Sequence, residues 1–225
     1  MKRDEIQVVR VRLDAGASTA VLSDDEQARA SRFLRESSRR RFVAARDALR
    51  RVLARCLDCS PRAIRFGYEP QGRPFVVEPA PGELAFNVSH SDELALLAIG
   101  YGRRLGIDVE RLDRRVSAEA VARRFFAPRE AEALFALPEA ERPAAFLRIW
   151  TRKEAYVKAL GEGLRLPLGS FEVSLGAPAA LLRSERAPAD VAELQLAHLE
   201  PLPGYVGALA WDGGSARIET RDFML

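Results

Sequence analysis

Residues 104–110 read RLGIDVE, with an apolar residue at every second position. This alternation predicts a strand whose polar face carries Gly106, Asp108 and Glu110. Positions two apart on a strand are ~7 Å from each other, so both carboxylates can converge on one hard cation. An edge strand that carries acids into water is the alternative. Gly106 favours the cation site, because its missing side chain leaves room for a ligand.

Strands and helices are predicted on both sides of this stretch. The amino-terminal residues alternate like a strand, and LAFNVSH and LALLAIG, at 84–90 and 94–100, are two more. The second of these is apolar throughout, which indicates burial on both faces. Residues 117–160 have a helical pattern, with helix starts at SAEA and APRE and interruptions at three prolines: Pro128, Pro138 and Pro143. Strand patterns return in residues 170–225.

Two helices are predicted between the first strands. Ser23 and Glu26 are spaced as a capping box. A second helix ends near residues 60–61 and carries an apolar stripe of Phe42, Ala45, Leu49, Val52 and Cys56. Arg46 projects beside this stripe, where a guanidinium needs a partner, and we expect it to hold an anion. Strands, helices and strands thus occur twice, in residues 1–105 and 106–225, although no sequence repeat accompanies this order.

The amino-acid composition indicates which broad class of protein this is. The chain has 225 residues, 48% of them hydrophobic, which is enough for a sizeable core. Its 35 basic and 32 acidic residues make a mixed surface, so binding to nucleic acid is not demanded. The start lacks the apolar core of a signal peptide, and LALLAIG is too short to span a bilayer. We expect a soluble, cytoplasmic protein with no membrane partner.

Cys56 and Cys59 form the single C-x-x-C of the chain. Zinc would need two more ligands, but His90 and His198 are the only histidines and lie far apart in sequence. A redox motif would follow a strand, whereas Cys56 ends a helical pattern. We expect both cysteines to be structural.

A cluster of hydrogen-bond donors ends the strand at 84–90. Asn87, Ser89, His90 and Ser91 suit phosphate oxygens, although a lone histidine is as often a bystander. Arg73, on the turn QGRP, adds a cation nearby in sequence.

Residues 148–158 read RIWTRKEAYVK and are helical in pattern, so that Trp150, Glu154 and Lys158 line one face. An exposed Glu–Lys pair four residues apart needs no function. The indole on the same face argues for an enclosed position instead. Carboxylates for a divalent ion and basic groups for phosphates together indicate a phosphoryl-type transfer.

These segments resemble a known family. The run from QGRP through FNVSHS and GIDVE to WTRKEAYVKALGEGL is similar to the 4'-phosphopantetheinyl transferases, in the long single-chain class named after the surfactin-synthetase activator Sfp. Its most specific parts are G-I-D-x-E and W-x-x-K-E-x-x-x-K, about forty residues apart, and the likeness covers most of the chain.

The resemblance implies an α+β fold in which two similar subdomains form a pseudo-dimer, with coenzyme A between them. Residues 1–105 would contact the nucleotide, and residues 106–225 would carry the metal and catalytic groups. The family moves the 4'-phosphopantetheine arm of coenzyme A onto a serine of an apo acyl, peptidyl or aryl carrier protein and releases adenosine 3',5'-bisphosphate. A monomer that uses Mg²⁺, with Mn²⁺ as a substitute, is expected.

The resemblance also assigns roles to residues. Asp108, Glu110 and Glu154 would hold the metal ion. The catalytic residues would be Glu154, Lys158 and His90, with the choice of general base open. Coenzyme A would be bound by Arg46, Arg73, Asn87, Ser89, His90, Lys153 and Lys158. Three positions depart from the family pattern: Thr151 follows the tryptophan, Arg73 replaces a lysine, and Glu26 lies where a basic residue is common, with Arg29 as its substitute.

Three questions stay open at this level. The cluster Arg123–Phe126 is either core phenylalanines flanked by solvated arginines or a docking surface for the carrier protein. A non-catalytic coenzyme A or nucleotide-binding module would not need three carboxylates beside an anion site. A nucleic-acid binder that uses the arginine-rich helix would need interleaved aromatic residues.

Overall fold

The computed structural model describes residues 2–14, 16–113 and 117–224. In chain order its elements are β1 (Glu5–Arg12), α1 (Asp24–Ser31), α2 (Glu36–Leu57), β2 (Arg65–Tyr68), β3 (Pro74–Glu78), β4 (Leu84–Ser91), β5 (Leu94–Tyr101), β6 (Leu105–Arg111), α3 (Ala118–Phe125), α4 (Pro128–Phe135), α5 (Arg142–Leu160), β7 (Phe171–Val173), β8 (Leu181–Ser184), α6 (Asp190–Glu193), β9 (Gln195–Leu199), β10 (Tyr205–Trp211) and β11 (Arg217–Phe223).

The strands form two larger sheets and two hairpins. One sheet has the order β11-β1-β5-β4 and the other the order β6-β10-β9, while β2 pairs with β3 and β7 with β8. Helix α2 packs in the core of the first sheet and α5 in the core of the second half. The predicted α+β fold of two similar halves is therefore confirmed.

The last strand of the chain joins the sheet that contains the first strand. β11 pairs in parallel with β1, from Glu5 opposite Arg217 to Val11 opposite Phe223. Residues 217–223 thus complete the sheet that contains β1, β5 and β4. Sequence order could not show this, because strand pairing depends on contacts between distant residues.

The helix starts follow the local signals in the sequence. Ser23 and Glu26 form the predicted capping box at the start of α1. Pro128 and Pro143 lie in the first turns of α4 and α5. A proline is tolerated there because backbone N–H groups in the first turn have no hydrogen-bond partner within the helix. The prolines therefore separate consecutive helices without breaking one.

A shared apolar layer joins the two larger sheets. It combines residues of β1 and β5 with residues of β6 and β10: Ile6, Val8, Leu94, Leu96, Ala98, Leu105, Ile107, Val109, Leu209 and Trp211. Burial of this layer holds the polar face of β6 in a fixed place beside β4. Cys56 and Cys59 are both free and pack against the core of the first half.

Gly106 lies at the closest approach of β6 to α5. A Cβ atom at this position would be 1.9 Å from the backbone oxygen of Ala155 and 2.4 Å from the backbone nitrogen of Ala159. The expectation that Gly106 leaves room for a ligand is wrong, because the helix backbone fills that space. The glycine instead allows α5 to lie directly on the strand.

Candidate active site

Residues of β4, β6 and α5 line two adjoining pockets, which we call the central cleft. The larger pocket, of about 810 Å³, is lined by Arg41, Val88, Ser89, His90, Ser91, Asp92, Asp108, Glu110, Arg111, Asp113 and Lys158. The smaller, of about 280 Å³, is lined by residues that include Arg73, Asn87, Val88, Glu154 and Lys158. The predicted site residues all line this cleft except Arg46 and Lys153.

β4 lies beside β6 and places serines opposite carboxylates. The Ser89 hydroxyl donates to Oδ1 of Asp108 at 2.8 Å, and the Ser91 hydroxyl donates to Oε2 of Glu110 at 2.9 Å. Both carboxylates are more than nine-tenths buried. In this structure the two serines therefore orient the carboxylates, whereas the sequence suggested that they would bind phosphate.

Lys158 brings a positive charge to Asp108. Its ammonium donates to Oδ1 of Asp108 at 2.7 Å, to the Ser89 hydroxyl at 3.0 Å and to the backbone oxygen of Ile107 at 3.2 Å. About a quarter of the side chain is exposed. The ammonium is thus held at the wall of the cleft and is within reach of a ligand there.

Glu154 lies one helical turn before Lys158 and faces the same cleft. Burial raises the pKa of its carboxyl group, and the negative charges of Asp108 and Glu110 raise it further, while Lys158 opposes them. Three acids therefore share one region of low dielectric. Trp150, on the same helix, instead stacks on Phe146 at 5.9 Å within the core of the second half.

One carboxylate oxygen in this group has no partner. Oδ2 of Asp108 is buried and accepts no hydrogen bond from the part of the chain that the structure describes. A buried, unsatisfied anionic oxygen beside two further carboxylates fits a hard divalent cation. Among residues 2–14, 16–113 and 117–224, however, no three His, Cys, Asp or Glu side chains are already close enough to hold a metal ion. Lys158 supplies the positive charge at Asp108 in this arrangement.

Asn87 and Arg73 lie in the smaller pocket with partly structural contacts. Oδ1 of Asn87 accepts the backbone N–H of Ile107 at 2.9 Å, which links β4 to β6 between the two halves. Arg73 donates to the backbone oxygen of Lys158 at 3.1 Å, at the carboxyl end of α5. A guanidinium is favoured by the helix dipole at that end. Both side chains nevertheless line the pocket, so a ligand there would meet them.

His90 and Arg41 lie in the larger pocket. His90 is exposed on β4, beside Ser89 and Ser91. Arg41 reaches the larger pocket from α2 and pairs with Asp92 at 2.5 Å. Sequence reasoning did not single out Arg41, because nothing local separates it from the arginines around it. Only the packing of α2 shows that it borders the cleft.

Lys153 does not reach the central cleft, and its predicted contact with phosphates is contradicted by its position. Its side chain has no exposed surface and pairs with Glu130 at 2.7 Å. It also donates to the backbone oxygens of Leu168 and Phe171 at 2.8 and 2.7 Å. Lys153 follows Arg152 and precedes Glu154, and each step turns the side chain ~100° around the helix. That rotation directs Lys153 into the core.

Arg46 also lies outside the cleft lining. Its Nε donates to Oε1 of Glu26 at 2.5 Å, and another guanidinium nitrogen donates to the Tyr68 hydroxyl at 3.1 Å. The guanidinium stacks over Phe66 at 4.4 Å from the ring centroid. The anion that the sequence predicted for Arg46 is therefore an internal carboxylate. Arg50 binds the other oxygen of Glu26, at 2.5 Å.

The cluster Arg123–Phe126 divides between core and surface. Phe126 is buried and stacks on Phe146 at 5.3 Å. Phe125 is 44% exposed, and Arg124 lies over its ring at 5.2 Å. Phe126 is therefore a core phenylalanine, whereas Phe125 is available at the surface. Docking of a partner at Phe125 stays a prediction.

The cleft brings carboxylates together beside an ammonium, arginines and a histidine. A site of this kind suits the transfer of a phosphate-containing group. Comparisons with known proteins agree. A family model described as the 4'-phosphopantetheinyl transferase superfamily matches residues 104–210, and one described as 4'-phosphopantetheinyl transferase, N-terminal, matches residues 13–100.

Individual relatives give the same result. The chain is 41% identical to the 4'-phosphopantetheinyl transferase HetI of Nostoc sp. over 216 residues, which are 93% of this chain and 89% of the relative. It is 31% identical to the 4'-phosphopantetheinyl transferase Sfp of Bacillus subtilis over 154 residues, 68% of this chain and 66% of that one. The chain belongs to the 4'-phosphopantetheinyl transferase family and is a transferase by that membership. The resemblance seen in the sequence motifs is thereby confirmed.

The holo-[acyl-carrier-protein] synthase of Thermotoga maritima aligns with 50% of this chain and 63% of its own at 20% identity and a TM-score of 0.36, a likeness too weak to support a conclusion. Within the described ranges, no helix has both the length and the apolar composition of a membrane span.

Proposed function

We propose that this chain transfers the 4'-phosphopantetheine group of coenzyme A to a serine hydroxyl of an apo carrier protein and releases adenosine 3',5'-bisphosphate. The observation that carries the proposal is the buried, unpartnered Oδ2 of Asp108, which lies in a cleft with two more carboxylates and Lys158. Membership of the family supports the same reaction.

The residues that would hold Mg²⁺, or Mn²⁺ in its place, are Asp108, Glu110 and Glu154. All three supply the hard oxygen donors that these ions prefer. When bound, the ion neutralises charge on the pyrophosphate of coenzyme A. Its positive charge would also oppose the effects of burial and of the charges of Asp108 and Glu110, which together raise the pKa of Glu154.

The chain's own residues supply positioning and proton transfer. The serine oxygen attacks the phosphorus that bears the pantetheine arm, and the bond from that phosphorus to the bridging oxygen breaks. Glu154 accepts the serine proton, directly or through water. Lys158, held at the cleft wall by Asp108 and Ser89, donates to the departing bisphosphate.

The remaining cations would bind the rest of coenzyme A. Arg73 lies in the smaller pocket, whereas Arg41 and His90 border the larger one. Charge-assisted hydrogen bonds from these groups suit the phosphates of the nucleotide. Asn87 and Ser89 contribute chiefly by fixing β6 and Asp108.

The partner in this proposal is an apo acyl, peptidyl or aryl carrier protein met in the cytoplasm by a monomeric enzyme. The exposed Phe125 with Arg124 offers one apolar and basic contact for an acidic helix. Neither nucleic acid nor membrane is needed for the reaction.

The test is to incubate the purified chain with coenzyme A, Mg²⁺ and an apo carrier protein and to measure the mass of the carrier. The carrier should gain one phosphopantetheine, and a carrier with its serine replaced by alanine should gain nothing. Omission of the metal with EDTA present should abolish the gain. Tight binding of coenzyme A without any transfer to several carriers would instead indicate a non-catalytic binding module.

A further inference from the structure

Arg152 is a buried cation without a carboxylate partner among the described residues. It is 2% exposed, as deeply buried as the best-packed apolar side chains. The other buried basic residues on α2 and α5 each pair with an acid: Arg46 and Arg50 with Glu26, and Lys153 with Glu130. An unpaired buried charge is costly, so a counter-charge is expected close by.

The hydrogen bonds that Arg152 makes to residues in the described ranges all go to neutral groups. One guanidinium nitrogen donates to the backbone oxygen of Ser174, to the Ser174 hydroxyl at 3.0 Å and to the backbone oxygen of Gly176 at 2.9 Å. Nε is buried and has no partner. Burial, together with the positive charge of Arg148, lowers the pKa of Arg152 to about 10.

Two more basic groups lie beside Arg152. Arg148 is one turn earlier on α5, and His198 reaches the same region from β9. Burial lowers the pKa of His198, and the charges of Arg152 and Arg148 lower it further. Nδ1 of His198 is also buried without a partner. Three groups able to carry positive charge are therefore held together, and two of them have unsatisfied buried nitrogens.

Arg148 and His198 line an open cleft of about 560 Å³ between α5 and the segment that joins β9 to β10. Arg10 also lines it but is neutralised by Asp222 at 2.8 Å. Glu200, the acid in the described lining, has a side chain that is 82% exposed and lies 3.5 Å from the other ring nitrogen of His198. Glu200 offsets only one of the two neighbouring charges of Arg148 and the buried Arg152, so one positive charge is left uncompensated at this cleft, which favours an anion.

This cleft is separate from the candidate active site. Arg148 and Arg152 project about 120° around α5 from Glu154 and Lys158. The residues that line the two clefts are different. An anion bound here would therefore not occupy the position of the transferred group.

We propose that Arg148 and His198, with the charge of the buried Arg152 beside them, form a second anion-binding site, which takes a phosphate-type oxyanion. Negative charge at this place offsets the repulsion among the three groups and supplies the counter-charge that Arg152 lacks. Planar guanidinium groups bind such oxyanions through paired hydrogen bonds, which gives the site a preference for phosphate over a monatomic ion. The proposal does not depend on the transferase activity.

The two histidines of the chain make a direct test available. His90 lies in the central cleft and His198 in the second one, so imidazole resonances report on each site separately. A His90→Gln variant assigns the two signals. Titration with inorganic phosphate at constant ionic strength should move the His198 signal saturably, and titration with chloride should not.

Variants test whether the response of the His198 signal depends on Arg148. Arg148→Gln should weaken phosphate binding at His198 about tenfold or more, since one charge-assisted contact is lost. Arg129→Gln, which removes the same charge from an exposed position on α4 outside the cleft lining, should leave it unchanged. Tighter binding of phenyl phosphate than of inorganic phosphate would assign the site to a phosphate-bearing group, and the reverse to the free ion. A His198 signal that ignores phosphate, or that responds equally in Arg148→Gln, would overturn the proposal.

Discussion

Glu26 and Glu130 occupy equivalent positions in the two halves of the molecule. Each is the third residue of a short helix, and each carboxylate accepts the backbone N–H that precedes that helix, at 3.0 Å from Ser23 and 2.9 Å from Ala127. Each is buried and binds a basic residue of the following long helix. A single carboxylate thus both starts a short helix and fixes it to a long one.

The two glutamates differ in charge balance. Burial raises the pKa of Glu26, but Arg46 and Arg50 outweigh it, so the net pKa is lowered. Glu130 has Lys153 as its single basic side chain in the structure described, and burial leaves its pKa raised. The first half therefore holds a firmly charged network, and the second half a weaker one.

Asp108→Ala should lower kcat/KM for transfer by at least about 100-fold, because it removes the carboxylate that we propose as a metal ligand, a change worth about 2.7 kcal/mol or more. The variant should fold, since Lys158 is left partly exposed and can be solvated. Initial rates measured over a range of Mg²⁺ concentrations give the effect. Asp113→Asn, at the rim of the same cleft, is the matched control and should stay near normal. Normal turnover of Asp108→Ala would refute the metal assignment.

Glu154→Gln should abolish transfer and yet stabilise the metal-free protein at neutral pH. The folded pKa of Glu154 is raised, so its contribution to stability is full below the unfolded value near 4.5 and is lost as pH rises through the folded value. Glutamine cannot ionise, so the variant does not lose this stability as pH rises. In EDTA, the Tm difference between variant and parent should therefore grow with pH, by about 2–4 °C for each ~1 kcal/mol of difference in the free energy of unfolding. A difference independent of pH would show that Glu154 is not a strained buried acid.

Arg41→Ala should weaken binding of coenzyme A roughly 10- to 100-fold, with a smaller effect on the analogue without the 3'-phosphate, if Arg41 contacts that group. Arg46→Ala should affect both compounds equally and lower Tm, because its partner is Glu26. Calorimetric titration of the two ligands measures both effects. A loss in Arg46→Ala that is selective for coenzyme A over the analogue would instead return Arg46 to the coenzyme A site that the sequence predicts for it.

Lys153→Met should reduce the free energy of unfolding by roughly 3–5 kcal/mol, because it leaves Glu130 buried and unpaired. The KM for coenzyme A of the folded fraction should not change. Urea unfolding gives the stability, and the double variant Glu130→Gln with Lys153→Met should recover much of it. A raised KM with little loss of stability would instead place Lys153 at the phosphates.

Gly106→Ala should destabilise the fold by about 3 kcal/mol, since the added Cβ would meet backbone atoms of α5 that cannot yield. Gly16→Ala is the control, because a Cβ at that position has no atom within 4 Å. Chemical denaturation of both variants compares them. Equal stability would mean that α5 does not lie directly on β6.

The sequence predicts what depends on local order. The alternation in residues 104–110 correctly places Asp108 and Glu110 on one face, because the period of a strand is two residues. The capping box at Ser23 is equally local. Glu154 and Lys158 share a face because four residues make about one helical turn.

The errors depend on packing between distant segments. Lys153 adjoins Glu154 in sequence, and only the position of α4 decides that it meets Glu130. Arg46 finds Glu26 on another helix, and Gly106 finds α5 where a ligand was expected. In each case the residue type correctly indicated a partner, but the partner lay elsewhere in the chain and carried no local signal.

The parallel pairing of β11 with β1 has a consequence for synthesis on the ribosome. β1 is synthesised early, whereas β11, its outer neighbour, is synthesised near the end of the chain. At ~5–20 residues per second, the interval between the synthesis of the two strands is on the order of ten seconds or more. During that time the outer edge of β1 has unpaired backbone groups, which can pair with a neighbouring nascent chain. We expect a chaperone that shields this edge to raise the yield of native protein.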